Sequence, residues 1–242
     1  MRKILFIAAT HGDEPIGVNV LRKIEKDLPK DDFGYDWIIG NERAYEKNVR
    51  LTEADLNRSA PGNRASTIYE VRRAAEIVAI AKDYDAVIDI HGTATDCGVV
   101  TIVPYPTTEN LDLAESTGLE RNVVWFSESS VESGPLAQHV GVPAIELECG
   151  PKDDSDTEVS LEATVRNMIE CNSDGTEIRS SRKQTFYEVY GKVLGDNDES
   201  LEDFQATTIK GETFFPFLSR NDYDSVTCYK MRTFRRKDTA SR

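Results

Sequence analysis

The chain has 242 residues, of which 39% are hydrophobic and 30% charged, and its formal net charge is −14. This composition is typical of a folded globular protein with one large domain, or with a domain and a small appendage. The negative charge argues against a nucleic-acid surface, which needs clustered lysine and arginine, and no apolar run approaches the roughly 20 residues that cross a membrane.

Roughly the first 170 residues alternate strand-like and helix-like patterns. Apolar runs predict strands at 3–9, 35–40, 85–90, 98–103, 122–126 and 143–148. Several of these runs are apolar nearly throughout, as expected of strands covered on both faces. Helical patterns lie between them, at 15–27, 67–82, 134–140 and 157–171. This alternation predicts an α/β fold with a mixed, mainly parallel sheet and helices on both faces. In such sheets, sites gather in the loops beyond the carboxyl ends of the strands.

The C-terminal part has a different character. From about residue 183, short β-prone runs are separated by Gly, Asn and Asp. We therefore predict two domains, at 1–178 and 179–242, the second a small antiparallel β domain. The four cysteines are widely spaced and form no CxxC pair, which predicts free thiols in a cytoplasmic protein. The first apolar run is too short for a signal peptide.

His11 and Glu14 follow the first predicted strand directly. Imidazole nitrogen and carboxylate oxygen are suitable zinc ligands, and a catalytic zinc takes three protein ligands plus water. The spacing is not that of HExxH, because Pro15 follows Glu14 and no second histidine stands at i+4. A polar helix start, where an acid complements the helix dipole, is the alternative interpretation.

His91 also follows a predicted strand, so the two histidines could converge on one sheet edge. Asp89, two residues earlier on the same strand face, could orient an imidazole or be a buried polar group satisfied by the backbone. Glu146 and Glu148 lie two apart in a later strand, and a buried glutamate costs free energy unless it is paired. Glu148 is nearer the strand's carboxyl end and is therefore the better candidate for a catalytic base.

The segment 41–66 has no clean periodicity, and such long loops in compact domains are usually functional. Within it, Arg58 and Asn57 could bind a carboxylate, since guanidinium offers two parallel donors and the amide adds another. Arg50 could polarise a carbonyl. The alternative is a surface loop whose arginines pair with some of the chain's 43 acidic residues.

Four sequence motifs occur in order along the chain: His-x-x-Glu at 11–14, Arg50 with Asp-Leu-Asn-Arg at 55–58, Asp-x-His at 89–91, and Glu-x-Gly-Pro at 148–151. In this order the chain resembles the succinylglutamate desuccinylase/aspartoacylase family of zinc carboxypeptidase-like hydrolases. The resemblance covers residues 3–151 clearly and the C-terminal β domain more weakly.

The resemblance implies a zinc-dependent hydrolase that cleaves the amide bond of an N-acyl amino acid. One Zn²⁺ per chain would be held by His11, Glu14 and His91. Glu148 would be the general base and then the general acid, and Arg50 would bind the carbonyl oxygen. Asn57 and Arg58 would bind the substrate carboxylate. Tyr223 of the C-terminal domain would contribute to the substrate site. Small molecules or short peptides are then the expected partners, with homo-oligomerisation left open.

One departure from the family concerns the substrate. The family usually has an arginine shortly upstream of the catalytic glutamate that holds the side-chain carboxylate of an acidic substrate, and residues 127–139 contain no Arg or Lys. A less acidic acyl amino acid, or a short peptide cleaved by a carboxypeptidase-type peptidase or peptide amidase, is therefore an alternative. A non-catalytic binding module is a third interpretation, although no ligand or base is missing.

Overall fold

The computed structural model describes residues 2–126, 132–175, 183–195, 201–219 and 226–236. The strands are β1 Ile4–Ala8, β2 Tyr35–Ile39, β3 Ala86–Gly92, β4 Gly98–Val103, β5 Arg121–Val124, β6 Ala144–Gly150, β7 Thr185–Leu194, β8 Thr207–Ile209, β9 Glu212–Phe217 and β10 Val226–Thr233. The helices are α1 Ile16–Asp27, α2 Lys30–Phe33, α3 Glu42–Lys47, α4 Tyr69–Ala81, α5 Thr108–Glu115, α6 Leu136–His139 and α7 Ser155–Asp174, with a 3-10 turn at Leu56–Arg58.

The strands form one sheet in the order β2-β1-β3-β6-β4-β5-β7-β10-β9-β8. β1, β2, β3 and β6 run parallel, and β4 and β5 run antiparallel to β6. β7 continues the sheet parallel to β5, and β10, β9 and β8 follow as antiparallel neighbours. The mixed, mainly parallel sheet with antiparallel C-terminal strands is confirmed.

Helices cover both faces of the sheet because alternate side chains of the buried strands point in opposite directions. On β1, Phe6 packs in the cluster that contains α1, α5 and α7 residues, whereas Leu5 and Ile7 pack against α4 and α6. All three side chains are fully buried. Removing such a side chain from water stabilises the folded protein by about 1.5–3 kcal/mol. Strands that are buried on both faces are therefore rich in apolar residues, and apolar runs predict them well.

The last four strands pack around two clusters. Phe217 and Met231 share the first with Val100 of β4 and Val123 of β5, and Phe214 and Cys228 lie in the second. These strands also continue the sheet of the first part through the β5–β7 pairing. The boundary near residue 178 lies outside the described residues, so the two-domain division stays a prediction.

Three helices, α2, α3 and α5, were not predicted, and the reason for α3 is its length. Its six residues span less than two turns, too few to show a helical period. Asn41 caps it by accepting a hydrogen bond from the Ala44 backbone N–H at 3.1 Å. α5 is likewise capped by Thr107. No disulfide joins any of the four cysteines, which all lie within the described residues, as predicted. No helix within the described ranges has the length and apolarity that crossing a membrane requires.

Candidate metal centre and active site

The turn after β1 aims His11 and Glu14 at one point. Ala9 adopts a left-handed backbone with φ of 53°, which turns the chain sharply at the end of β1. Gly12 then passes so close to α3 that a Cβ atom there would lie 2.1 Å from the backbone carbon of Ala44. The Glu14 N–H donates to the His11 carbonyl at 3.1 Å and closes the turn. A side chain at position 12 would therefore push this turn away from α3.

His11, Glu14 and His91 form the candidate metal centre. All three are buried, and their ligand atoms lie within 4.8 Å of one another. Nδ1 of His11 is 2.8 Å from Glu14 Oε1, and Nδ1 of His91 is 3.1 Å from Glu14 Oε2. The Gly92 N–H also donates to Glu14 Oε2 at 3.0 Å. The three residues predicted from sequence as metal ligands are thus brought together by the ends of β1 and β3.

A second carboxylate lies behind each imidazole. Nε2 of His11 is 3.1 Å from Asp55 Oδ1, and Nε2 of His91 is 3.1 Å from Asp89 Oδ2. The Thr10 hydroxyl donates to the other oxygen of Asp89 at 2.8 Å. A carboxylate at Nε2 favours the proton on that nitrogen and leaves the Nδ1 lone pair for a metal.

The donor set fits Zn²⁺. Two imidazole nitrogens and one carboxylate oxygen are the ligands of a catalytic zinc that keeps a fourth position for water or substrate. Burial opposes ionisation of Glu14, but hydrogen bonds and positive charge from His11 and His91 hold its pKa well below the usual range. The carboxylate is therefore in its ligand form at neutral pH.

Asp55 was not singled out from the sequence, although it opens the Asp-Leu-Asn-Arg motif. Burial raises its pKa, but the hydrogen bond and charge of His11, with Arg58 and Arg50 nearby, lower it to about 2. Asp55 Oδ1 also caps the 3-10 turn by accepting from the Asn57 N–H at 2.8 Å. Its signal in the sequence is an acid immediately before a short helical turn.

We expect Asp55→Asn to weaken zinc binding about 10- to 100-fold, because the amide does not hold the Nε2 proton of His11 as a carboxylate does. Competition with a chelator of known affinity measures this change. Asp153→Asn, an exposed aspartate outside the centre, is the control and should bind zinc as the wild type does. Equal zinc affinity of Asp55→Asn and the wild type would refute the orienting role.

Arg50 lies at the edge of the metal centre. Its guanidinium donates to Glu14 Oε1 at 3.2 Å and lies 3.7 Å from Asp55 Oδ2. The side chain is about one-third exposed, so part of it faces solvent. This position is consistent with a donor that faces a substrate bound over the metal.

Glu148 lies on β6 directly opposite His91 of β3 in the parallel register. Its carboxyl group is close enough to the centre that Glu14 and His91 both affect its ionisation. Burial is the main cause that raises the pKa of Glu148 to about 8, and the charges of Glu14 and Glu146 act in the same direction. A carboxyl group with such a pKa can take up and release a proton near neutral pH.

Asn57 and Arg58 differ in exposure. Asn57 is buried: its Oδ1 accepts from the Leu136 N–H at 2.8 Å, and its Nδ2 donates to Glu146 Oε1 at 3.3 Å. Arg58 is exposed and donates to the Asn57 carbonyl at 2.7 Å. The guanidinium is thus held beside the buried amide at the surface of the site. Tyr223, the remaining predicted site residue, lies outside the described residues.

Glu70 supports the site from α4 and was not identified from the sequence. Its carboxylate is fully buried and accepts hydrogen bonds from the Thr52 N–H at 2.8 Å and the Ala54 N–H at 3.2 Å, as well as from Glu53 and Asn41. These bonds anchor the segment between Arg50 and Asp55. Sequence periodicity does not reveal this role, because the partners are backbone groups of a distant loop.

Known proteins that are similar to this chain were found both by sequence and by structure. A family model described as the succinylglutamate desuccinylase/aspartoacylase catalytic domain matches residues 1–171. The chain is 35% identical over 113 residues to a probable aspartoacylase of Prochlorococcus marinus subsp. pastoris, an alignment that covers 43% of this chain and 38% of the relative. The chain thus matches well under half the length of this curated relative.

Two solved structures share the fold over nearly the whole chain. Murine aminoacylase 3 superposes with a TM-score of 0.74 at 17% identity, covering 96% of this chain and 95% of that one. The succinylglutamate desuccinylase from Chromobacterium violaceum gives 0.71 at 16% identity, covering 96% and 84%. The family model covers more than half of the sequence, and the site motifs lie within the matched residues. This chain therefore belongs to the succinylglutamate desuccinylase/aspartoacylase family.

Proposed function

We propose that this chain is a zinc-dependent hydrolase that cleaves the amide bond of an N-acyl amino acid. The observation that carries the proposal is the convergence of His11, Glu14 and His91, with Glu148 opposite His91 in the sheet register. Family membership supports a deacylase of the aspartoacylase or succinylglutamate desuccinylase type.

A bound zinc ion would act as a Lewis acid towards the attacking water and the amide carbonyl. His11, Glu14 and His91 would hold it, with Asp55 and Asp89 orienting the two imidazoles. The protein's part is to keep both Nδ1 lone pairs directed at the ion.

Glu148 moves the protons. Its carboxylate accepts a proton from the attacking water as the new C–O bond forms, and it then donates that proton to the amide nitrogen as the C–N bond breaks. The products are the free carboxylic acid and the amine of the amino acid. The positive charge of a bound ion would oppose the effect of burial, lower the pKa of Glu148 and so favour its ionised form.

Arg50, Asn57 and Arg58 orient the substrate in this proposal. Arg50, beside Glu14, would donate hydrogen bonds to the carbonyl oxygen as negative charge develops there. Arg58, exposed next to Asn57, would bind the carboxylate of the amino acid through its two parallel donors. Tyr223 is proposed as a further substrate residue on the resemblance alone.

Metal removal tests the proposed function. We expect the chelated protein to lose hydrolysis of N-acyl amino acids, and one equivalent of Zn²⁺ per chain to restore it, because the reaction needs the polarised carbonyl. Metal analysis and release of free amine over a panel of acyl amino acids measure the outcome. Turnover that survives complete removal of the metal would contradict the proposal.

A second candidate is a peptidase or peptide amidase with the same chemistry. It is favoured by the absence of Lys and Arg from residues 127–139, which removes the expected partner of an acidic substrate side chain. The same panel extended to short peptides separates the two activities. A metal-binding protein without turnover on any amide would instead indicate a binding module.

A further inference from the structure

Lys152 connects the three segments that supply the proposed metal ligands and the base. It follows Glu148 by four residues, just beyond the end of β6. Its backbone N–H donates to the carbonyl of Thr93, directly after β3, at 2.7 Å. Its ammonium group donates to Asp13 Oδ2, in the turn after β1, at 3.1 Å. One residue therefore joins the carboxyl ends of β1, β3 and β6.

The beginning of the Lys152 side chain packs against Gly92, the residue that follows His91. A Cβ atom at position 92 would lie 2.8 Å from Cβ of Lys152, so a side chain there would collide with the lysine. The same Cβ atom would lie 3.6 Å from Cβ of Glu14, and the Gly92 N–H donates to Glu14 Oε2 at 3.0 Å. The lysine thus lies beside the backbone that holds one of the proposed metal ligands.

The ammonium group of Lys152 balances the charge of Asp13. Asp13 stands between His11 and Glu14, and its Oδ1 is buried with no hydrogen-bond partner in the described part of the chain. The side chains of the ion pair are 16% exposed for the lysine and 28% for the aspartate, so most of the pair is removed from water. A charge in such a place is costly unless it is paired. Loss of the ammonium group would therefore favour a movement of the turn that brings Asp13 into solvent.

We propose that Lys152 is a positioning residue that acts through Asp13. The ion pair holds the turn at residues 11–14 at a fixed distance from the ends of β3 and β6, so that the ligands from separate strands and the base meet at one point. This inference rests on the proposed function for the roles of those groups. Lys152 is not itself a ligand, because a charged ammonium group has three donors and no lone pair.

The sign of the effect on zinc affinity separates positioning from simple charge. A lysine near a bound cation repels it, so charge alone predicts that removal of the Lys152 ammonium group strengthens zinc binding. A positioning role predicts the opposite, because the ligands of the turn are then held less firmly. We expect Lys152→Met to weaken zinc binding about tenfold, an effect typical of residues that orient metal ligands. Lys152→Arg can still pair with Asp13 and should retain most of the affinity.

Competition with a chelator of known affinity measures zinc binding by the full chain without requiring turnover. The set comprises the wild type, Lys152→Met, Lys152→Arg, Asp13→Asn and the double variant Asp13→Asn/Lys152→Met. If the two residues act as a pair, the double variant should bind zinc within about twofold of the weaker single variant, because the second change removes a contact that is already lost. Lys152→Gln, which keeps a polar end, tests the proposal even if Lys152→Met does not fold.

Steady-state kinetics at saturating zinc give a second readout. We expect Lys152→Met to lower kcat about tenfold while KM stays within about twofold of the wild type, because a displaced ligand turn disturbs the reacting groups and leaves Arg58 in place. Lys152→Arg should restore most of kcat. Urea unfolding of the zinc-free chains measures stability separately. A lower unfolding midpoint of Lys152→Met with unchanged zinc affinity and kcat would show a structural ion pair only and would overturn the proposal.

Lys230→Met is the matched control. Lys230 has a side chain that is 19% exposed, pairs with Glu212 and lies on β10 in the far part of the sheet. Its variant should bind zinc and turn over as the wild type does. Zinc binding by Lys152→Met as tight as that of the wild type or tighter, or single effects that multiply in the double variant, would also overturn the proposal. Failure of the proposed function would appear instead as a wild type that binds zinc without hydrolysing any amide, and the zinc affinities would still test Lys152.

Discussion

Glu148→Gln is expected to lower kcat for amide hydrolysis by about 10²- to 10⁴-fold while one zinc per chain is retained. The reason is that glutamine matches the shape of the residue but can neither take the proton of the attacking water nor return it to the amine. Steady-state kinetics on the zinc-loaded variant, with metal analysis of the same sample, measure both quantities.

The pH profile adds a second readout for Glu148. Because the base must be ionised, kcat/KM of the wild type should rise with pH as Glu148 loses its proton, from a pKa that burial raises to about 8 and a bound cation lowers. This rise of kcat/KM with pH should be missing from the residual activity of Glu148→Gln. Glu188→Gln is the matched control, because it changes another buried strand glutamate, on β7, that pairs with Arg232; its rate and profile should be normal. A Glu148→Gln variant that binds zinc and remains fully active would exclude Glu148 as the base.

Glu70→Ala is expected to lower the free energy of unfolding by about 3 kcal/mol at pH 7 and to reduce kcat/KM as well. The carboxylate accepts hydrogen bonds from the backbone of Thr52, Glu53 and Ala54, and alanine would leave these donors without their partner. Burial raises the pKa of Glu70, but these hydrogen bonds lower it to about 2, and the shift from 4.5 corresponds to a stabilisation of this size.

The sign of the pH dependence follows from the lowered pKa of Glu70. Its stabilisation is fully present above about pH 4.5 and is lost as the pH falls towards 2, so the difference between wild type and variant should shrink over that range. Urea unfolding at several pH values measures it. Glu76→Gln on the same helix is the control, because its side chain is half exposed and its ion pair with Arg73 contributes little. A Glu70→Ala variant as stable as Glu76→Gln would refute the anchoring role.

Local pattern was sufficient for the strands of the first part of the chain. β1 is apolar throughout because both of its faces are covered, and such a run can be recognised without knowledge of its neighbours. α3 was missed because six residues are too few for a period to appear. The C-terminal β runs were recognised by composition, but their pairing with β5 depends on contacts that sequence spacing does not encode.

The candidate site likewise contains residues that the sequence predicts and contacts that only the structure reveals. His11, Glu14, His91 and Glu148 could be proposed from the sequence by itself, because they stand at strand ends in an order that a family shares. Only the tertiary structure decided that Glu148 is opposite His91 and that Asp55 supports His11 from 44 residues away. It also decided that Glu70 anchors the segment between Arg50 and Asp55. The physical reason is that register and hydrogen bonds between distant segments arise when the sheet and its helices pack together. The charge of Glu146 is visible in the sequence, but its position opposite Asp89 depends on the parallel alignment of two strands more than 50 residues apart.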